Sequence, residues 1–267
     1  MKALALVFVA AAAFAAGLTD EETATLRDMV ISEGPEAVIG YIAGFDLAQR
    51  VELYELARET YIFDTFPGEE LDDLVAIADC AIEDMLREAR EADDTLVRMM
   101  LLDQANVFSY NLSADLAECW PGDTLTRYPR HFERGLSAAL QCLEWRYFLE
   151  KLNYPFFLAH WAAGMHQLSL GMNEQALYNM VRSMNYAEQI TADNGIAIGF
   201  YPGAGFELLL AHGYYGLALL QATGDPSHFD RTIEHLEAGI EQYPDWAEDY
   251  TFAMEQLLWT RQRLESR

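Results

Sequence analysis

Residues 224–245 read GDPSHFDRTIEHLEAGIEQYPD, and their spacing decides the fold. Thr232, Leu236, Gly239 and Pro244 follow one another at steps of 4, 3 and 5: a small side chain, a bulky apolar one, a small one, then a stop. On a helix the first three share a face. Small residues let a partner helix approach, the bulky one fills the space between, and proline cannot continue the helix. The stretch therefore reads as the second helix of a helix-turn-helix unit.

The same arrangement occurs once more upstream. Ala176, Met180 and Ser183 are spaced 4 and 3, Gly171 stands 5 before Ala176 as a turn glycine, and Gly164 lies 7 further back, where a small residue permits close packing. Glu188 stands where the later unit has Pro244. In the later unit Gly224 is 8 before Thr232, so Pro226-Ser227-His228 reads as a 3-residue insertion in the turn. The pattern resembles the tetratricopeptide repeat. The two units are 56 residues apart, against about 34 in that repeat. The excess lies mostly between Ala187 and Gly205, where TADNGIAIGFYPGAG is a glycine-bearing loop or a distorted helix start. Long excursions of this kind are more often functional than decorative.

Outward from these units the chain continues as helices with short breaks. Thr19 and Glu22 form a capping box for a helix that Glu33-Gly34 stops. Pro35 opens a short helix to about Ala43, and Asp46 caps a longer one that Phe66-Pro67-Gly68 breaks. Leu71, Leu74, Ile77, Ala78, Ala81, Ile82 and Met85 recur at steps of 3 and 4 on a helix ending near Ala92. Asp93-Asp94-Thr95 restarts the chain for a helix to about Glu118. Turn residues cluster at Cys119-Trp120-Pro121-Gly122-Asp123. Helices then run from Pro129 to about Lys151 and from Pro155 to Gly171, and Asp245 caps a last one with a polar end. No strand-like alternation of useful length occurs. The expectation is an all-α fold of antiparallel helical hairpins stacked as an irregular tetratricopeptide-like array. It comprises a helical region over 18–118 and a repeat-like region over 119–267, in one continuous domain.

Residues 1–17 read as an export signal: Lys2, an apolar run from Ala3 to Ala16, and small residues where a peptidase would cut. An uncleaved anchor is the alternative. Removing the first 16 residues leaves 16 basic against 43 acidic residues, a formal charge of −27, which repels nucleic acid and anionic membrane surfaces. The acids are dispersed at exposed helical spacing, as solubility requires. Three cysteines, Cys80, Cys119 and Cys142, leave at least one free thiol. Cys80 reads as a buried small hydrophobe, and Cys119 with Cys142 is the one pairing considered.

Chemistry is sparse. His160 and His166 are 6 apart and His228 and His235 are 7 apart, with no third ligand near either pair in sequence, so no metal site is expected. No nucleophile, base and orienting partner assemble from motifs, which argues against an enzyme and implies no cofactor. Aromatic residues gather at the breaks, either as core or as the wall of an apolar ligand groove. Arg146, inside an apolar run, is either paired with Glu144 or Glu150 or placed for an anionic ligand. Trp120, Arg146, Trp161, Tyr201 and Tyr214 are the candidate ligand-binding residues.

The segment from Asn153 to Asp193, followed by GFYPGAGFELLLAHGYYGLALLQATGDPSHFDRTIEHLEAGIEQYPD, resembles the TatT family, the tetratricopeptide-type component associated with TRAP transporters. The resemblance rests on Trp161, Gly203 with Gly205, Gly213-Tyr214-Tyr215 and Gly224-Asp225-Pro226. It implies a non-catalytic periplasmic protein that binds small organic or apolar ligands, docks a solute-binding protein and forms a homo-oligomer. Members commonly carry a lipid on a cysteine just after the apolar run; the first cysteine here is Cys80, so no lipobox is expected. The alternative is an envelope protein-protein scaffold with no small-molecule site.

Overall fold

The computed structural model describes residues 17–63, 71–123 and 125–266. The apolar leader and the Phe66-Pro67-Gly68 break lie outside them. Among the described residues there are eleven α-helices and no strand: α1 Asp20–Ser32, α2 Pro35–Ile42, α3 Leu47–Phe63, α4 Leu71–Glu91, α5 Thr95–Leu116, α6 Pro129–Phe148, α7 Asn153–Ser169, α8 Asn173–Asp193, α9 Phe206–Thr223, α10 Ser227–Gln242 and α11 Ala247–Glu265. From α6 onward each helix packs on the next, and α9 also meets α7 and α11. The fold is an all-α array of adjacent helices. It divides into two compact units, one reaching to Asp115 and including 124–127, the other made of 116–123 and the chain from Tyr128.

In the first unit the helix starts follow from their caps. Glu22 N–H donates to Thr19 Oγ1 at 3.2 Å while Thr19 N–H donates to Glu22 Oε2 at 2.7 Å. Asp46 Oδ1 accepts from Gln49 N–H, and Asp94 Oδ1 accepts from Leu96 and Val97 N–H. The α4 stripe from Leu71 to Met85 is buried as its spacing requires, except for Ala78, which is half-buried. Polar groups cross the core in pairs: Arg50 bridges Asp84 and Glu88, and Arg58 donates from Nε and Nη2 to Asp115 at 2.6 and 3.0 Å. Glu55 joins through Arg58 and Asn111, and burial pushes its carboxyl pKa up. Cys80 is half-buried, 3.4 Å from the Tyr54 hydroxyl, rather than in the core.

The second unit shows why small residues recur. A Cβ on Gly164 would stand 2.7 Å from Met180 Cε, one on Gly239 3.0 Å from the Tyr250 ring, and one on Gly216 2.8 Å from the Phe229 backbone. Ala176, Met180, Thr232 and Leu236 are fully enclosed. Three local readings change. Helix α7 begins at Asn153, because proline is tolerated throughout a first turn whose N–H groups have no helical partner. Gly224 ends α9 at φ 79°, and Asp225 Oδ1 accepts from Ser227 N–H and Oγ–H, so Ser227 and His228 extend α10 instead of lengthening the turn. A 3-10 turn, Pro244–Trp246, precedes α11, so Asp245 does not cap it. The pairing of Cys119 with Cys142, left open by the sequence, is not made: no disulfide joins them. Residues 116–123 are held on α11 by Gln256 Nε2 donating toward Cys119 Sγ and by Arg263 donating to Glu118.

Candidate functional site

The five sequence candidates separate into three places. Trp120, Trp161 of α7 and Tyr214 of α9 come together, with Trp120 and Trp161 edge to face at 6.2 Å and Trp161 and Tyr214 at 5.8 Å. Trp161 and Tyr214 are buried, and neither Trp161 Nε1 nor the Tyr214 hydroxyl makes a well-formed hydrogen bond. Burial raises the Tyr214 phenol well above its ordinary pKa. Trp161 and Tyr214 form part of the core of the array, and Trp120 is half-buried against them. Tyr201 lies elsewhere, its hydroxyl donating to Ala197 O at 2.8 Å within the segment joining α8 to α9. Arg146 is buried at the end of α6 and donates to the Pro155 carbonyl.

Arg146 leads to a group of residues with no motif in the sequence. His160 of α7 lies close enough to Arg146 and to Arg182 of α8 for both guanidinium charges to oppose its protonation, but burial is the larger cause of its lowered pKa. Its Nδ1 is 2.8 Å from Asn179 Oδ1, and the Asn179 amide donates to Gln167. That chain of bonds places the proton on His160 Nδ1 and leaves Nε2 a buried acceptor with no partner. The ring of Tyr186 lies nearly parallel to Phe156 and His160, at 5.2 and 5.7 Å, and Arg182 lies 5.6 Å over Tyr186. Phe156 also packs on Tyr147, which is exposed. Tyr147, Tyr186 and Tyr178 lie near enough to Arg182 to raise its pKa, Tyr147 most, and Arg182 makes no ion pair among the described residues. The result is a cation on an aromatic surface that opens to solvent at Tyr147 and Tyr178.

The next hairpin repeats the theme with different parts. His212 of α9 and His228 of α10 are 3.2 Å apart, Nδ1 to Nε2. Phe200, from the joining segment, lies nearly parallel to both at 4.3 and 4.7 Å; His235 meets it edge-on at 4.6 Å, and Arg231 lies 5.3 Å over it. His160 and His212 each stand 4 residues before the glycine at which the neighbouring helix approaches, Gly164 and Gly216. Two histidines read from sequence as an isolated pair thus gain a third, His212, because the hairpin folds α9 back along α10. Their shared neighbour is a benzene ring, and among the described residues no three His, Cys, Asp or Glu are arranged to hold a metal. Burial lowers the pKa of all three, His212 to about 4 with help from His228 and His235.

Elsewhere, an open groove of about 520 Å³ lined by Glu133, Leu136, Ser137, Leu140, Leu170 and Met172 contains none of the candidates. No helix among the described residues is long and apolar enough to cross a membrane.

No family model, curated protein or solved structure matches this chain. The functional reading rests on side-chain chemistry.

Proposed function

We propose that this chain is a non-catalytic helical-repeat binding protein that takes a small organic acid at Arg182. The carboxylate pairs with the guanidinium, the apolar part of the molecule lies on Tyr147, Phe156 and Tyr186, and His160 Nε2 accepts from a hydroxyl or N–H on the same molecule. The resemblance to the TatT family sets this binding in the cell envelope, where the protein acts as an adaptor that passes such acids to the solute-binding protein of a TRAP-type transporter.

One observation carries the reading. In a chain with 43 acidic and 17 basic residues, Arg182 makes no ion pair among the described residues and lies over the Tyr186 ring with Tyr147 and Tyr178 nearby instead. Abundant carboxylates make an intramolecular partner easy to find, so an arginine kept on an aromatic surface without one is suited to an external anion.

The test is a thermal-shift panel of aliphatic and aromatic carboxylates, with and without hydroxyl groups. A ligand at 100 times its Kd stabilises a protein by about 2.7 kcal/mol. The reading expects at least one class to raise Tm in the wild type and to lose that effect in Arg182→Gln. A flat panel, together with retention of an envelope protein on immobilised chain, establishes the scaffold reading instead.

A further inference from the structure

The ring of Phe200 occupies a place built by other elements. Its neighbours His212, His228, Arg231 and His235 all belong to α9 and α10, whose packing is fixed by the close approach of Gly216 to Phe229. Phe200 comes from the segment 194–205, which has no helix of its own. That segment is tied at its ends: Ile196 N–H donates to Thr191 O, and Ala204 O accepts from the Tyr250 hydroxyl at 3.0 Å. Gly195 and Gly203 have φ of 71° and 87°, so both bends lie in the left-handed region where glycine is unstrained. Between them the contacts include the Phe200 ring, the internal Tyr201–Ala197 bond and the packing of Gly203 on Tyr243.

We propose that His212, His228, His235 and Arg231 form a second binding site, for a flat aromatic carboxylate, in which Phe200 is the resident occupant and the incoming ring takes its place. The chemistry follows from the four residues. His212 and His228 offer a floor of two imidazoles nearly parallel to the ring, and His235 offers an edge. Arg231 is exposed, lies over the ring and makes no ion pair among the described residues. Phe200 satisfies the floor but brings no anion to Arg231; an aromatic acid satisfies both. His235 Nε2 is buried without a partner and adds one polar contact for a ring substituent. This site is separate from Arg182, and Arg182→Gln leaves it intact.

The probe is 4-fluorophenylacetate, followed by its fluorine NMR signal on full-length protein carrying Arg182→Gln, so that only the second site reports. Removing the occupant with Phe200→Ala is expected to tighten binding by about ten-fold or more, and adding Arg231→Gln to weaken it by about ten-fold, the effect of about 1.4 kcal/mol. In protein that retains Phe200, saturating probe is expected to speed chymotrypsin cleavage within 196–203, because the displaced ring frees the segment. Circular dichroism melts establish that each variant is folded. Absence of saturable binding in folded Phe200→Ala, binding indifferent to Arg231→Gln, or cleavage in the Phe200-containing protein unchanged by probe would each overturn the proposal.

Discussion

Acidification should destabilise the second unit through its histidines, and His212 gives the size of the effect. Its pKa falls from 6.5 to about 4, with burial the main cause and the neighbouring imidazoles His228 and His235 adding to it. Across α9 and α10 the charged groups facing this cluster are Arg231, which opposes protonation of His228 and His235, and Glu234, which favours protonation of His235. A folded-state pKa below the unfolded one means that between pH 6.5 and about 4 the unfolded chain binds a proton that the folded chain does not. The contribution is therefore complete above pH 6.5, declines as pH falls, and is gone below about 4. At about 1.4 kcal/mol per pH unit the full interval is worth roughly 3 kcal/mol, and roughly 2 to 3 once solvent at the rim near Arg231 is allowed for. Urea unfolding of wild type and His212→Gln from pH 7.5 to 4 isolates the term, since ordinary carboxylate titration is common to both. Wild type should lose about 2 to 3 kcal/mol more than the variant over that range. Parallel pH dependences would refute the reasoning, because they would mean that His212 titrates alike in both states.

Other substitutions separate the remaining forces. Gly216→Ala should cost about 1 to 3 kcal/mol, because its Cβ meets the Phe229 backbone, whereas Gly164→Ala should cost less, because its Cβ meets the flexible end of Met180; chemical denaturation compares them. Asp115→Ala should destabilise the first unit by about 3 to 5 kcal/mol by leaving Arg58 buried beside one remaining carboxylate, Glu55, and replacing Arg58 and Asp115 together with apolar residues should recover part of that loss. Leu236→Ala, at a fully enclosed position, should cost about 2 to 5 kcal/mol and lower Tm accordingly.

What was legible in the sequence is what local spacing controls. The steps of 4 and 3 at Ala176-Met180-Ser183 and Thr232-Leu236-Gly239 place three residues on one face, and those faces are buried. Capping at Thr19 and Glu22 needs only four residues, so it too is visible. The turn before α10 is harder: Gly-Asp-Pro signals a bend, but the Asp225 side chain begins the helix at Ser227 and so brings His228 into the array. The ring clusters are set by crossing helices and leave no spacing signal. His160 meets Asn179 across 19 positions and His212 meets His228 across 16. Aromatic content gathers Trp161, Phe200 and Tyr214 at the breaks without distinguishing the buried pair Trp161 and Tyr214 from Phe200, and it says nothing of Arg182, because what surrounds each side chain is set by the packing of distant segments.

The most direct measurement of the central claim is isothermal titration of wild type and Arg182→Gln with whichever carboxylate raises Tm most in the panel. A one-site isotherm in the wild type that weakens at least ten-fold in a fully folded Arg182→Gln is the predicted result, since a charge-assisted hydrogen bond contributes about 1.5 to 3 kcal/mol. Equal affinity in the two proteins would contradict it and remove Arg182 from the site.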